Sequence, residues 1–330
     1  MPLPSPGVAS TERPPGWPAF STDEMLDVIR DGYRPRWKKA IVECEGKAFR
    51  TLVSPAGRPL NGLWQFPLFL EPVEASTRPT PVPYLDSVCL KTTAAGETLP
   101  APFSPAPFID WSAVPGTWDE YLQRREHAAG TDGFATLRRK ERALARDHGD
   151  VEVCFNDRDP AVFDVLTAWK SAQYRRTGLV DLFASPRNRA FYREMASRGL
   201  LELASLRAGG RLVAAHAGSR IGGRFLYRLP AFDLAAGRYS PGALLTYHLV
   251  RRSFESGDRE FDFLLGGEAY KFTYATHVRW VGPLGNEPLS WRTARTARSL
   301  AGRAARGTWW RQGLAAATAR LRTRHLRGRR

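Results

Sequence analysis

The stretch LLELASLRAGGRLVAAHAGSRIGGRFLYRLPA, residues 200–231, decides the fold. It reads as three strands, Leu200 to Leu206, Leu212 to Ile221 and Arg224 to Ala231, separated by Gly209-Gly210 and Gly222-Gly223. Paired glycines reach the positive φ of two-residue hairpin turns, so the strands are expected to run antiparallel in chain order. In the third strand Phe225, Tyr227 and Leu229 alternate with Arg224, Leu226 and Arg228, the period of two of a sheet. The middle strand is apolar nearly throughout, as a central strand should be.

Downstream, Ser240-Pro241 gives an N-cap followed by proline at the first helical position. The helix continues through Leu244, Leu245, Tyr247, Leu249, Val250 and Phe254 and stops at Gly257. A strand from Glu260 to Leu264 and the loop Gly266-Gly267-Glu268-Ala269-Tyr270-Lys271 follow. Upstream, helices are expected from Pro160 to about Arg176 and from Pro186 to Arg198, with a strand from Val151 to Phe155. Thr117 and Glu120 stand at capping-box spacing, and Thr131 begins a basic helix holding Arg138, Arg139, Lys140, Arg142 and Arg146. Ser21 and Glu24 repeat the capping box before a helix ending near Gly32. Strands are expected at Ala40 to Cys44, Phe49 to Val53 and Leu63 to Leu70. The proline-rich segment Thr92 to Gly116 reads as connecting chain and as the main boundary.

The fold class is therefore α/β, with a mixed, largely antiparallel sheet flanked by helices. The 330 residues divide into a Pro-rich leader (1–20), a first half (21–116), a second half (117–290) and a tail (291–330). With 43% hydrophobic and 25% charged residues the composition is that of a globular protein. No run approaches the ~18 apolar residues of a membrane-spanning helix, and the leader lacks the apolar core of a signal peptide. Cys44, Cys89 and Cys154 are odd in number and never form a C-x-x-C pair. They argue for a reducing, cytoplasmic setting without a metal or disulfide frame. The net charge of +16 is concentrated: the tail holds 12 arginines and no lysine or acidic residue, leaving +4 for residues 1–290. A nucleic-acid argument from charge thus applies to the tail and not to the folded part.

Two groups of residues carry candidate chemistry. A helix N-terminus leaves backbone N–H groups unpaired and carries partial positive charge, so Arg238, Ser240 and Gly242 mark a place for a phosphate. The same pattern is also that of an ordinary helix start. Asp262 lies between Phe261 and Phe263 in an apolar strand, where a carboxylate is either paired or functional. Glu268 is a second candidate base, Tyr270 a proton donor and Lys271 an anion ligand. The structural alternative is a salt-bridged strand end in which Asp262 pairs with Lys271, Tyr270 enters the core and Glu268 faces solvent. Gln173, Tyr174 and Arg175 close a helix and are candidates for the acceptor pocket. His216 and His248 read as packed histidines.

These pieces, in order, resemble a known family. Pro107-Phe108-Ile109-Asp110, Trp118-Asp119-Glu120-Tyr121-Leu122, Gln173-Tyr174-Arg175-Arg176-Thr177-Gly178, Tyr239-Ser240-Pro241-Gly242, Phe261-Asp262-Phe263 and Gly267-Glu268-Ala269-Tyr270-Lys271 carry the likeness. They are similar to the CelD/BcsL-type acetyltransferases of the GNAT superfamily, relatives of the FemAB-like transferases. The likeness spans about half the chain and extends more weakly to a degenerate GNAT-like first half. It implies direct transfer of an acyl group from acetyl-CoA or another acyl-CoA to an amine, with no metal. It further implies an acceptor that is a small molecule or envelope precursor, in polysaccharide or cell-envelope biosynthesis. In that reading Asp262, Glu268, Tyr270 and Lys271 are catalytic, Arg238, Ser240 and Gly242 hold the donor, and Gln173, Tyr174 and Arg175 hold the acceptor. The sequence departs from the usual Q/R-x-x-G-x-G/A loop: Pro241 stands where the first glycine belongs. That departure and the basic helix keep open an aminoacyl-tRNA donor, as in FemAB-like enzymes.

In the tail, Trp310, Leu314, Ala317 and Leu321 recur at helical spacing among arginines. The pattern suits an anionic membrane surface or RNA, so the protein is expected in the cytoplasm or at the inner face of the membrane. A non-catalytic membrane-surface scaffold is the reading in which only this tail matters. Oligomeric state is not encoded in any of these patterns.

Overall fold

The paired glycines reach the backbone their spacing demands: φ is 54° and 75° at Gly209 and Gly210, and 58° and 74° at Gly222 and Gly223. The computed structural model describes residues 22–60, 69–75, 77–97, 103–129, 133–290 and 292–293. The chain divides into two units, Met1–Leu284 and Gly285–Arg330, and the first is described here. The expectations for the leader, for most of the strand Leu63 to Leu70 and for nearly all of the tail lie outside the described residues.

The first elements in chain order are α1 (Asp23–Tyr33), β1 (Lys38–Cys44), β2 (Lys47–Val53), β3 (Thr80–Pro81), β4 (Tyr84–Ala94) and β5 (Ser104–Asp110). Then come α2 (Trp118–Ala129), α3 (Gly133–His148), β6 (Val151–Phe155), α4 (Pro160–Thr177), α5 (Pro186–Ser197), β7 (Glu202–Ala208) and β8 (Arg211–Ile221). The last are β9 (Arg224–Phe232), α6 (Pro241–Glu255), β10 (Glu260–Asp262), α7 (Ala269–Tyr274) and β11 (His277–Gly285). A small sheet has the order β2-β1-β3, and a large one has the order β4-β11-β5-β10-β9-β8-β7-β6. In the large sheet β7 to β9 form the expected antiparallel meander, β6 pairs antiparallel with β7 at its edge, and β9 and β10 are a parallel pair. This is a mixed, largely antiparallel GNAT-like sheet with helices on both faces.

One face is covered by α1, α4 and α5, whose Met25, Ile29, Leu166 and Met195 pack with Ala217, Leu226 and Leu229. The other is covered by α2, α3 and α6, whose Tyr121, Phe134, Leu144 and Val250 pack with Phe225, Tyr227 and Phe261. Each large apolar side chain so buried stabilises the fold by about 1.5–3 kcal/mol. The capping box before α2 forms as read: Thr117 N–H donates to Glu120 Oε2 at 2.7 Å, and Glu120 N–H to Thr117 Oγ1 at 3.4 Å. Before α1 the N-cap is Thr22, and no side-chain cap bond forms there.

The segment Thr92 to Gly116 departs from the sequence reading. Part of it is β5, a central strand that pairs antiparallel with both β10 and β11, so the large sheet crosses the expected boundary. Prolines ordinarily confine a strand to the sheet edge because they donate no hydrogen bond. Here the Pro107 carbonyl accepts from Phe263 N–H at 3.0 Å and the Pro105 carbonyl from Gly266 N–H at 2.9 Å. Both meet chain that has already left β10, where no donor is required of them. The prolines are tolerated because β10 is only three residues long.

Candidate active site at the parting of two strands

The period-of-two pattern of β9 fails at one residue, and the failure shapes the site. Ala217 pairs with Leu229 and Gly218 with Tyr227, so Arg228 is an extra residue, a β-bulge. Before it Phe225 and Tyr227 face α6; after it Leu229 and Ala231 face α4. The bulged N–H of Arg228 leaves the ladder and donates to Nε2 of His216 at 3.2 Å. His216 is thus a packed histidine with a defined task, stacked 4.4 Å from the Tyr227 ring. Burial, reinforced by Lys170 and Arg228, pushes its pKa down to about 3 and keeps it neutral. Next to the bulge β10 stops: its last pairing with β9 is Asp262 to Leu226, whereas β9 runs on to Phe232. The two parallel strands part there, beside the N-terminus of α6.

Residues from three elements gather around this opening. From α4, Lys170 is 8% exposed; its Nζ donates to Gln173 Oε1 at 3.1 Å and to the Pro230 carbonyl at 3.0 Å. It lies over the Tyr174 ring, 5.4 Å from the centroid. Burial pulls its pKa down to about 8, with Glu268 opposing and Lys271 adding to the drop. From the loop after β10 and from α7 come Glu268, Tyr270 and Lys271. Lys271 is 4% exposed, donates to the Leu265 carbonyl at 3.0 Å and pairs with Glu268 Oε2 at 2.9 Å. Gly266 (φ 134°) permits this closure, since a Cβ there would come within 2.2 Å of Glu268 Oε2 and 2.7 Å of Lys271 Nζ. Tyr270 is half exposed beside Phe263 and Tyr227, and burial, with Glu268 adding, raises its pKa to about 12.

At the start of α6, Ser240 is not an ordinary cap. Its backbone is left-handed (φ 55°, ψ 50°) and its side chain makes no capping bond. Its hydroxyl instead accepts from Lys140 Nζ of α3 at 2.7 Å. The first intrahelical donor is Leu244 N–H, bonded to the Ser240 carbonyl at 3.0 Å, so the N–H groups of Gly242 and Ala243 precede the ladder. An ammonium beside the positive end of a helix is electrostatically unfavourable by itself and becomes favourable once an anion joins it. Gly242 has a packing reason, since a Cβ there would lie 3.0 Å from the Phe232 ring. Arg238 turns away: its side chain is 71% exposed, lies over the Tyr239 ring and pairs with Asp147 at 3.3 Å.

Asp262 is fully buried, accepts from Leu264 N–H at 2.7 Å and pairs with Arg279 at 3.1 Å. Arg279 also bonds Glu260 and lies 3.4 Å from Glu71, while Arg224 pairs with Glu71 at 2.6 Å and Glu260 at 3.0 Å. Burial raises the Asp262 pKa against the pull of Arg279; burial would lower Arg279, and the carboxylates outweigh it and hold it above the usual range. The alternative in which Asp262 pairs with Lys271 is therefore not realised: Asp262 pairs with Arg279 and Lys271 with Glu268. Of the acceptor-side residues, Gln173 and Tyr174 adjoin Lys170, while Arg175 reaches outward to Asp181 at 2.9 Å.

Sequence reasoning missed Lys170, three residues before Gln173, because one lysine inside a helix pattern carries no signal until its burial is known. Lys140 sits within the basic run, but its contact with Ser240 joins residues 100 positions apart. His248, expected as a packing residue, bonds Glu141 at 2.7 Å. Among the described residues no group of three or more His, Cys, Asp or Glu is arranged to hold a metal ion, and no helix is long and apolar enough to cross a membrane. A cavity of about 340 Å³ lies at the opposite end of the sheet, lined by Phe155, Glu202, Arg220, Arg252 and Asp258. Phe225 also lines it, whereas Lys140, Lys170, Ser240, Glu268, Tyr270 and Lys271 do not.

Residues 132–272 match the model of the acetyltransferase (GNAT) domain, a span that includes the opening, Lys140, Lys170 and Lys271. In fold the chain is similar to FemX, with a TM-score of 0.50 at 10% identity over 81% of this chain and 92% of that one. A C-terminal DUF2156 domain from Agrobacterium fabrum gives 0.45 at 14% identity over 85% and 94%. A GNAT family acetyltransferase from Brucella melitensis, solved with acetyl-CoA, gives 0.30 at 16% identity over 42% and 90%. No curated protein matches the chain by sequence. The matched model answers to the GNAT part of the sequence resemblance and leaves its narrower CelD/BcsL type aside.

Proposed function

We propose that this protein is an N-acyltransferase that moves an acyl group from acyl-CoA to an amine at the opening between β9 and β10. The observation that carries the proposal is the conjunction of that opening with the α6 N-terminus on one side and the Glu268–Lys271 pair on the other. The donor's phosphates would meet the N–H groups of Gly242 and Ala243, the Ser240 hydroxyl and Lys140. Its thioester would then lie along the unpaired edge of β9.

An amine arrives protonated at neutral pH and must lose a proton before it attacks. Glu268, largely exposed and held by Lys271, takes that proton. The amine nitrogen then bonds to the thioester carbonyl carbon, and collapse of the tetrahedral intermediate breaks the carbon–sulfur bond. Tyr270, which keeps its phenolic proton at neutral pH, gives it to the departing thiolate. The nitrogen's second proton leaves through Tyr270 or solvent, so the net products are an amide, a free thiol and one proton. Asp262 serves as the buried counter-charge of Arg279 and sets the end of β10. An envelope or polysaccharide precursor as acceptor, and a place at the inner face of the membrane, rest on the CelD/BcsL resemblance and on the arginine tail.

A second reading keeps the fold and exchanges the donor for an aminoacyl-tRNA. Pro241 favours it, because proline removes one N–H from the start of α6 and with it one ligand for a pyrophosphate. Calorimetric titration of the full chain with coenzyme A, followed by a thiol-release assay on Glu268→Gln, tests the first reading. Coenzyme A should bind, and the substitution should lower kcat about 100-fold while leaving that binding intact. Failure to bind at millimolar coenzyme A would overturn the reading. Salt-sensitive tRNA binding that survives removal of residues 291–330 would install the second in its place.

A further inference from the structure

Lys170 and Lys271 are two ammonium groups from different elements, both more than nine-tenths buried, and the charge of Lys271 acts on Lys170. A single carboxylate, Glu268, acts on both; it is mostly exposed and already bonded to Lys271. The partners of Lys170 are neutral, the Gln173 amide oxygen and the Pro230 carbonyl, and no ion pair to it forms among the described residues. His216 adds a further donor. Its Nε2 accepts from Arg228, which places the proton on Nδ1, and that buried atom has no hydrogen-bond partner among the described residues. The opening is therefore rich in donors and positive charge and poor in acceptors. Burying like charges in a low-dielectric site without a counter-ion is costly, and such groups are ordinarily paired.

The geometry points to an acceptor that carries an anionic group, a carboxylate or a phosphate, beside its amine, with Lys170 and Lys271 as the ligands of that group. This rests on the acyl-transfer reading for the word acceptor, though not for the anion site itself. The arrangement is bipolar. Glu268 meets the ammonium of the incoming molecule, and the two lysines meet its acid a short distance away. Gln173, bonded to Lys170, and the Tyr174 ring beneath it fix the ammonium's direction. A simple apolar amine would leave Lys170 without a counter-charge and Lys271 with only the exposed Glu268.

Matched pairs test this on the full-length protein with acetyl-CoA as donor: alanine against alaninamide, and glucosamine 6-phosphate against glucosamine. The acidic member of at least one pair should be preferred at least tenfold in kcat/KM, and Lys170→Gln should abolish the preference, mostly through KM. Which pair shows it distinguishes carboxylate from phosphate. Equal or better use of the neutral members, or an unchanged preference in Lys170→Gln, overturns the inference. A second measurement does not need turnover: thermal melting with succinate or inorganic phosphate should rise for the wild type and not for Lys170→Gln or Lys271→Gln. Anion stabilisation that depends on these lysines, without turnover of any amine, would keep the anion site and sink the acyl-transfer reading. No stabilisation by either anion, with no preference in turnover, removes the anion site.

Discussion

Along β10, Arg279 and Arg224 meet the carboxylates of Asp262, Glu260 and Glu71; just beyond its end, Lys271 holds Glu268 while Lys170 has only neutral partners. Both clusters contain buried charges, and both draw their members from distant parts of the chain. In the first, positive and negative groups interlock at hydrogen-bonding distance, as a structural network must if desolvation is to be offset. In the second, two ammonium groups are buried with neutral partners and one largely exposed acid. The first cluster is complete without a ligand, and the second is not. That difference separates a residue holding the sheet together, Asp262, from residues that await something, although all of them lie within a short stretch of sequence.

The sharpest way to break this comparison is to remove one member of the complete cluster. Arg279→Met strands the buried carboxylate of Asp262, leaves Glu260 and Glu71 to Arg224 alone, and should destabilise the protein by about 3–5 kcal/mol in urea unfolding followed by circular dichroism. A loss below about 1 kcal/mol would mean that the network is not compensated as described.

The corresponding change in the incomplete cluster should have the opposite sign. The Lys170 pKa falls from 10.5 to about 8 on folding, mainly through burial. The unfolded chain therefore binds more protons between those pH values, and the folded state gains stability as pH rises through them. Below pH 8 the full cost of the buried charge is present. Lys170→Met should thus be more stable than wild type at pH 7, by about 1–2 kcal/mol after allowing for two lost hydrogen bonds. The advantage should shrink between pH 8 and 10.5. A variant less stable than wild type throughout that range would place Lys170 with the structural charges.

The smallest effect is expected at the other wall of the opening. Lys140→Ala and Ser240→Ala should each weaken coenzyme A binding about three- to tenfold, with the Lys140 effect falling as salt is raised. Equal binding by both variants would move the donor phosphates elsewhere on the molecule.

Much of the frame was legible in the sequence. The two Gly-Gly turns, the capping box at Thr117, Pro160 and Pro186 at helix starts and the glycine after α6 act over a few residues, so their neighbours in sequence are enough to read them. The candidate set Glu268 to Lys271 was legible for a similar reason, since its members lie within four positions, although Tyr270 and Lys271 fall on α7 and not in a loop. The strand β5 was hidden because local rules penalise Pro105 and Pro107, and only the early end of β10 makes them acceptable. The bulge at Arg228 was hidden because an uninterrupted alternation and a bulged one differ only in how the partner strand pairs.

The sequence by itself therefore determined the class of fold, the order of most elements and the neighbourhood of the site, all of which follow from backbone preference and short-range spacing. Tertiary structure alone decided the pairings that give charges their meaning. It gave Asp262 to Arg279, Lys271 to Glu268, Lys140 to Ser240, and Lys170 to the buried edge of β9. The reason is physical: what a charge does depends on its distance from other charges and from water, and neither distance is set by position along the chain.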